Sequence, residues 1–218
     1  MIVRNNINMI REEFKWLLAN EFYVEDKSGV KLLEIVNASF IADEPSIFGK
    51  PNHSYIEREI EWYKSMSLNV NDIPGETPVV WKQVATPDGR INSNYGWCIW
   101  SRENGEQYNN VLHELKQKPT SRRATMIYTR PTMWVDYCHD GMSDFMCTNA
   151  VQYVIRDQAL HAIVQMRSND VFYGYRNDYA WNEYVLKMLS YDLDVSPGII
   201  YWNVGSLHVY ERNFNLVK

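Results

Sequence analysis

Cys147 is a candidate nucleophile in the central part of this sequence, and the residues around it predict a β-hairpin. Two β-rich runs, Phe145–Arg156 and Leu160–Arg167, flank the short turn Asp157–Ala159. If the first two residues of that turn form the loop, Cys147 lies opposite Ser168 on the neighbouring strand. The hairpin therefore gives Cys147 a defined set of neighbours.

Two charged residues, Arg167 and Asp170, fall close to Cys147 in the same register. A guanidinium group beside a thiol favours the thiolate, and the thiolate is the nucleophilic form of cysteine. This spacing indicates covalent catalysis by Cys147. The hairpin alone leaves open the alternative of a buried cysteine that acts as a small apolar side chain.

A second candidate is a carboxylate on the apolar side of the predicted helix Ser54–Ser67. The apolar arc of this helix contains Ile56, Ile60, Tyr63 and Met66. Glu59 falls inside the arc, where a carboxylate is costly unless it is paired or used in chemistry. Glu59 is therefore a candidate acid/base, and a glutamate that reaches solvent from the edge of the arc is the alternative.

Cations in two predicted turns could hold an anionic ligand. Arg122 and Arg123 precede the predicted strand Ala124–Thr129, and an arginine pair is a good clamp for a phosphate dianion. Lys27 lies in the predicted turn Asp26–Gly29. An ordinary solvated charge is the alternative for all three.

His208 and Tyr210 lie in the last predicted strand, Ile199–Tyr210. The alternation of side chains along a strand puts both on one face, next to each other. Such a pair could bind a sugar hydroxyl, although the residues alone make this a weak hypothesis.

The remaining pattern predicts the elements that position these side chains. An amphipathic N-terminal helix is indicated by the helical spacing of Ile7, Ile10, Phe14, Leu17 and Leu18. Asn177 or Asp178 is expected to cap the last long helix. The stretch from Asn71 to Asn94 is expected to be a loop. The other predicted elements are the strand Val30–Ile41, the helix Gln107–Gln117 and the helix Tyr179–Leu189.

Composition indicates one globular domain that covers residues 1–218. Hydrophobic residues make up 45% of the chain and charged residues 22%, and no repeat or linker interrupts it. The net charge of −5 argues against a nucleic-acid-binding surface. No apolar run approaches the ~18 residues of a membrane span, and the sequence starts without a signal-peptide pattern.

The three cysteines, Cys98, Cys138 and Cys147, lack the spacing of a metal site, so no metal is expected. An odd number of cysteines fits reduced thiols in the cytoplasm. The expected location is therefore cytoplasmic.

Three long segments, FMCTNAVQY, MRSNDVFYGYRNDYAW and WNVGSLHVY, resemble the thymidylate synthase superfamily. They most resemble its deoxycytidylate hydroxymethylases of T-even-type bacteriophages. The likeness runs from about Glu21 to the end of the chain. It implies an α+β fold of the thymidylate synthase type, in which a mixed β-sheet is flanked by helices and two subunits pair sheet to sheet as a homodimer.

The resemblance also implies roles for the candidate residues. It implies a nucleophile at Cys147, a catalytic glutamate at Glu59, within EREIEW, and a base reader at Asp178. The residues implied at the substrate phosphate are Arg167, Ser168, Lys27 and, from the other subunit, Arg122 and Arg123. His208 and Tyr210 are implied at the sugar 3′-hydroxyl. Trp81 and Tyr95 are implied at the co-substrate, 5,10-methylenetetrahydrofolate, and Asp170 is implied at the base or at the folate.

Asp178 indicates which base is bound, because it stands where the synthases have an asparagine that reads uracil. A carboxylate accepts a hydrogen bond from the cytosine amino group, and a proton on the acid or on the ring nitrogen completes the pair. Asp178 therefore favours cytosine. A register change of one residue would put Asn177 there instead and would restore a uracil reader.

The expected reaction is hydroxymethylation of dCMP at carbon 5, with water as the final nucleophile. Thr148 stands where the synthases have a histidine, and the flanking segments are closest to the phage enzymes. The alternatives are a dUMP hydroxymethylase, a thymidylate synthase or a non-catalytic nucleotide-binding subunit. A cysteine hydrolase is disfavoured, because no local signal places a histidine beside Cys147. Association with other phage nucleotide-synthesis enzymes is left open.

Overall fold

The computed structural model describes residues 5–218, and their contacts divide the chain into two compact units. The sheet unit comprises Met1–Pro51 and Ile155–Lys218, and the helical unit comprises Asn52–Val154. The helices are α1 (Ile7–Ala19), α2 (His53–Ser65), α3 (Val79–Val84), α4 (Tyr95–Trp100), α5 (Gln107–Gln117), α6 (Met133–Asp136) and α7 (Gly174–Leu193). The strands are β1 (Val24–Glu25), β2 (Lys31–Ile41), β3 (Thr125–Ile127), β4 (Thr148–Arg156), β5 (Ala159–Asp170) and β6 (Ser196–Tyr210). Short 3-10 helices lie at Val70–Asp72, His139–Gly141 and Glu211–Leu216.

The sheet unit contains both parallel and antiparallel strands, in the order β1-β2-β6-β5. β2 pairs antiparallel with β1 and β6, whereas β5 and β6 run parallel and are joined by α7 as a crossover helix. α1 packs on β2, and α7 packs on β5 and β6. The core of this unit is built from fully buried side chains that include Phe14, Leu33, Val164, Trp202 and Leu207.

The start of α7 differs from the prediction, which gave Asn177 or Asp178 as its cap. The helix begins at Gly174, so both residues lie inside it. The N-cap residue is Tyr173, and just before the helix the Asp170 carboxylate at the end of β5 accepts hydrogen bonds from the backbone N–H groups of Phe172, at 3.0 Å, and Tyr173, at 2.6 Å. A carboxylate at this end also interacts favourably with the helix dipole.

The predicted hairpin turn before β5 is confirmed. Asp157 and Gln158 have φ angles of 49° and 60°, the left-handed values of a two-residue type I′ turn. The preceding strand is shorter than expected, because β4 begins at Thr148 and residues 145–147 are not part of it. The predicted pairing of Cys147 with Ser168 stays a prediction.

The helical unit is organised around the close contact of α2 with α4. Gly96 makes this contact possible, because a Cβ at this position would lie 1.8 Å from the backbone oxygen of Tyr63. The ring of Tyr63 stacks on that of Tyr95 at 5.3 Å. β3 pairs antiparallel with β4, with Met126 opposite Val151.

One helix lies in the stretch from Asn71 to Asn94 that was predicted to be a loop. α3 follows Pro78 and is only six residues long, too short to show an apolar period. The predicted helices at the N-terminus and at Gln107–Gln117 are confirmed. Along residues 5–218, each helix is too short or too polar to span a bilayer.

Replacing Gly96 by alanine should destabilise the protein by about 3 kcal/mol or more, because the new methyl group would force α2 and α4 apart. Urea denaturation measures this change in the free energy of unfolding. Gly105→Ala is the matched control: its φ is +84° but its side-chain space is open. It should cost about 1 kcal/mol. Equal losses in both variants would contradict the proposed close packing.

Candidate active site

Glu59 lies on α2 and is buried, with 5% of its surface exposed. Its Oε1 accepts a short hydrogen bond from the Tyr55 hydroxyl, one helical turn earlier. The indole Nε1 of Trp81 lies 2.9 Å from that hydroxyl and 3.3 Å from Glu59 Oε1. The sequence prediction of a carboxylate facing the interior is therefore confirmed. Tyr55 was missed, although its i, i+4 spacing from Glu59 was a usable signal.

The surroundings of Glu59 change its protonation. Burial disfavours the carboxylate and raises the pKa to about 7, although the hydrogen bonds from Tyr55 and Trp81 act in the opposite direction. A carboxyl group with this pKa can both give and take a proton near neutral pH. Burial, together with Glu59, also raises the pKa of Tyr55 well above its usual value, so Tyr55 stays a donor.

Trp81 is half-buried on α3 and packs edge to face against Trp62, with ring centroids 5.2 Å apart. Trp62 is fully buried, and its Nε1 donates to the Asn69 carbonyl at 3.1 Å. Trp81 is therefore fixed at its indole nitrogen by polar groups and at its ring by a buried tryptophan.

Cys147 is half-buried at the end of a loop that is anchored by Asp144. The Asp144 carboxylate is buried and accepts hydrogen bonds from the backbone N–H groups of Asn92, at 2.7 Å, and Ser93, at 2.8 Å. On the other side of Cys147, the Thr148 hydroxyl bonds to the Tyr95 hydroxyl at 3.0 Å. Both sides of Cys147 are therefore tied to the segment that leads into α4.

Arg122 and Arg123 lie on the surface of the helical unit, beside an open depression lined by residues 117–123. Arg123 forms a salt bridge with Glu114 at 3.1 Å, yet 72% of its side chain is exposed. Glu114 also accepts a hydrogen bond from the Ser121 hydroxyl. The loop is thus held in place while both arginines stay accessible.

In the sheet unit, the register of β5 and β6 brings several predicted residues together. Ser168 pairs with Ser206 and Asp170 with His208, since the two strands run parallel. His208 is buried, and its ring lies edge to face with that of Tyr210 at 4.9 Å. The predicted shared face of this pair is confirmed.

Arg167 is exposed on β5, and the neighbouring β6 leaves room for its backbone. A Cβ at Gly205 would lie 2.8 Å from the Arg167 carbonyl oxygen. Lys27 is also exposed, in the turn that joins β1 to β2. Because Leu32 on β2 pairs with Tyr210, this turn lies at the same end of the sheet as the carboxyl ends of β5 and β6.

Asp178 lies in the second turn of α7 and contacts a buried amide that the sequence did not reveal. Asn169 Nδ2 donates to Asp178 Oδ2 at 2.7 Å. Asn182, one turn further along α7, donates to the Asp178 backbone carbonyl at 2.8 Å. Asn169 and Asn182 were missed because the sequence gives no sign that a polar residue is buried.

Comparison with known proteins shows the family of this chain. The thymidylate synthase family profile matches residues 50–218. The chain belongs to the thymidylate synthase family. The predicted superfamily is thereby confirmed.

Members of the thymidylate synthase family differ widely in their similarity to this chain. The deoxycytidylate 5-hydroxymethyltransferases of Enterobacteria phages T4 and T2 are 59% identical, over 97% of this chain and 89% of theirs. The thymidylate synthase of Bacillus atrophaeus is 28% identical, over 74% of this chain and 72% of its own.

A solved structure of the family confirms the predicted fold class. The thymidylate synthase from T4 phage superposes with a TM-score of 0.77 at 19% identity, and the match covers 94% of this chain and 77% of that one. At this identity the match supports the α+β thymidylate synthase fold alone. The predicted homodimer stays a prediction.

The raised pKa of Glu59 makes the stability of the protein depend on pH. Between the ordinary carboxyl pKa of 4.5 and the raised value of about 7, the folded protein holds a proton that the unfolded chain has lost. Stability therefore falls as pH rises through this window, by up to about 3 kcal/mol above pH 7. Glu59→Gln removes the titrating carboxyl group, so the free energy of unfolding of the variant should increase relative to that of the wild type as pH rises.

Urea denaturation of both proteins from pH 4.5 to 8 measures this difference. The matched control is Glu57→Gln, an exposed position on the same helix. The difference in the free energy of unfolding between Glu57→Gln and the wild type should stay nearly constant over this pH range. A constant difference for Glu59→Gln as well would show that Glu59 is not held protonated.

Proposed function

We propose that this chain transfers a one-carbon unit from 5,10-methylenetetrahydrofolate to carbon 5 of dCMP, which yields 5-hydroxymethyl-dCMP and tetrahydrofolate. The observation that carries this proposal is the 59% identity to phage deoxycytidylate 5-hydroxymethyltransferases over 97% of the chain. The chemistry of the candidate residues supports the same reaction. A cytoplasmic location is part of the proposal.

Cys147 acts as the nucleophile. Its thiolate adds to carbon 6 of the pyrimidine, and the electron pair of the 5,6 double bond becomes available at carbon 5. The folate supplies the one-carbon unit that carbon 5 attacks. Loss of the carbon 5 proton and of tetrahydrofolate leaves an exocyclic methylene, to which water adds as Cys147 departs. The sum is dCMP, methylenetetrahydrofolate and water giving hydroxymethyl-dCMP and tetrahydrofolate.

Glu59 serves the proton transfers of this sequence. A carboxyl group with a pKa of about 7 can accept a proton from water as it adds and return one elsewhere in the cycle. Tyr55 and Trp81 hold one of its oxygens, which fixes the direction from which the other acts. In this proposal Thr148, which bonds to Tyr95, takes the place of the histidine found in the synthases.

The nucleotide is held by groups at the carboxyl ends of β5 and β6. Arg167 and Ser168 bind the phosphate together with Lys27, whose turn lies at the same end of the sheet. His208 and Tyr210 bind the sugar 3′-hydroxyl. The edge-to-face contact of their rings supports this role, because it fixes the direction of both polar ends.

The folate is assigned to Trp81, Tyr95 and Asp170. Asp170 Oδ1 accepts hydrogen bonds from backbone N–H groups just before α7, whereas its Oδ2 is buried without a hydrogen-bond partner among residues 5–218. Such an acceptor fits an N–H donor of a pterin ring. Trp81 offers a half-buried ring for stacking. Tyr95 is 5% exposed, so its contribution is chiefly to hold Thr148.

Identification of the product by mass spectrometry tests this function. With methylenetetrahydrofolate, dCMP should be converted to hydroxymethyl-dCMP, and dUMP should be a much poorer substrate. Cys147→Ala should lose turnover by about 10⁴-fold or more while dCMP still binds. Cys98→Ala, at a buried cysteine whose pKa burial raises to about 12, is the matched control and should remain active. Thymidylate as the product, or no turnover by the wild type, would overturn the proposal.

The active form is proposed to be a homodimer, in which Arg122 and Arg123 of one subunit bind the phosphate held by the other. The exposure of both arginines supports this arrangement, since neither guanidinium group is enclosed by its own unit. Other nucleotide-synthesis enzymes remain proposed partners only.

Mixing two inactive variants tests the shared phosphate site. An Arg122→Ala/Arg123→Ala subunit and a Cys147→Ala subunit should each be inactive alone. In a heterodimer, one of the two sites would combine an intact Cys147 with intact arginines, so about a quarter to a half of the wild-type activity should return. Turnover of purified, differently tagged heterodimers measures this. No recovery would remove the shared-site hypothesis.

A further inference from the structure

We propose that Asn169 is a positioning residue for base selection: its side-chain amide fixes the carboxylate of Asp178 so that an acceptor is presented to the pyrimidine. This inference rests on the proposed function, in which Asp178 reads the base. It assigns the choice between cytosine and uracil to a pair of residues on β5 and α7 rather than to Asp178 alone.

The contact between the two side chains is short and enclosed. Asn169 is 3% exposed, and its Nδ2 donates to Asp178 Oδ2 at 2.7 Å. A hydrogen bond to a charged acceptor in such surroundings is stronger than one in water. The absence of a side chain at Gly174 leaves room for this contact, because a Cβ there would lie 3.0 Å from Asn169 Nδ2 and 3.7 Å from Asp178 Oδ2.

The orientation of the Asn169 amide follows from chemistry. If the amide were turned over, its carbonyl oxygen would face a carboxylate oxygen, and two acceptors would be in contact. The NH₂ group therefore faces Asp178. The Oδ1 of Asn169 has no hydrogen-bond partner among residues 5–218, so the bond to Asp178 is what fixes this side chain.

This orientation determines what position 178 can offer to a base. With aspartate, Oδ2 is engaged by Asn169, which restricts the orientation of the carboxylate; in this proposal its other oxygen is the acceptor that meets the base. That acceptor suits the amino group of cytosine and opposes the carbonyl oxygen of uracil. Without Asn169 the carboxylate is no longer held in one rotamer, and the difference between the two bases should shrink.

The Asn169 amide should also orient an asparagine at position 178. The NH₂ of Asn169 would attract the carbonyl end of the new amide and turn its NH₂ group outward, as a donor for the uracil carbonyl. The preference for dUMP in Asp178→Asn should therefore also depend on Asn169. The two positions should be strongly non-additive in a double-mutant cycle.

Asn182 provides a matched control on the same helix. It is 1% exposed, and its Nδ2 donates to the backbone carbonyl of Asp178 at 2.8 Å. Asn182→Ala therefore removes a buried amide and a hydrogen bond to the same residue, but leaves the carboxylate of Asp178 in place. Loss of stability should be similar in Asn169→Ala and Asn182→Ala, at about 1–3 kcal/mol.

Titration calorimetry, which measures the Kd values for dCMP and for dUMP, tests the inference. The proteins compared are the wild type, Asn169→Ala, Asn182→Ala, Asp178→Asn and the Asn169→Ala/Asp178→Asn double variant. The ratio of the Kd for dUMP to the Kd for dCMP should fall by about tenfold or more in Asn169→Ala. It should stay within about threefold of the wild type in Asn182→Ala. The double variant should lose the dUMP preference of Asp178→Asn. If Asn169→Ala does not fold, Asn169→Ser replaces it, because its shorter side chain cannot reach the carboxylate.

An unchanged ratio in a folded Asn169 variant, or an equal fall in Asn182→Ala, would overturn the role of Asn169. The product assay on the wild type separates this result from a failure of the proposed function. Wild-type protein that makes hydroxymethyl-dCMP while Asn169 variants keep the binding ratio contradicts the inference alone. A wild type that binds dCMP no better than dUMP contradicts both.

Discussion

A carboxyl group that is taken out of water must either find hydrogen-bond donors or take up a proton, and the candidate active site is built on this constraint. Glu59 shows the second outcome, because burial outweighs its two donors and raises its pKa to about 7. Asp144 shows the first, with two backbone N–H groups and a hydroxyl at its oxygens. One carboxyl group is thereby suited to proton transfer, and the other holds the loop that carries Cys147.

Asp170 and Asp178 show how the type of donor decides the role of a carboxylate. Asp170 accepts hydrogen bonds from backbone N–H groups, which are present whichever side chains those residues carry. The contacts of Asp170 therefore depend on the backbone fold. Asp178 is held by the side chain of Asn169. That donor can be exchanged by a single substitution without moving the backbone. On the proposed role of Asp178, selection of the base would depend on a contact that can vary while the fold stays the same.

Elements with a clear apolar period were predictable, and elements held by distant contacts were not. α5 was predicted to its ends, since Tyr108, Val111 and Leu115 repeat at helical spacing and are buried. The start of α7 was misplaced because its N-cap residue, Tyr173, has no capping side chain, whereas Asn177 and Asp178 carry the usual cap signal closer to the apolar run. Asn169 has no local signal at all, because its burial arises only when α7 packs on β5.

The comparison with T4 thymidylate synthase agrees with the contrast between contacts made by the backbone and contacts made by side chains. A TM-score of 0.77 at 19% identity means that the backbone path is kept while most side chains differ. The proposed chemistry of Cys147 requires a backbone that holds a thiol in a fixed loop, and the fold meets this requirement. In the proposed function, reading cytosine instead of uracil requires only a different arrangement of donors and acceptors, which Asn169 on β5 and Asp178 on α7 would supply. If these roles hold, one fold can serve two bases, because the residues proposed to make carbon 5 reactive are separate from those proposed to recognise the pyrimidine edge.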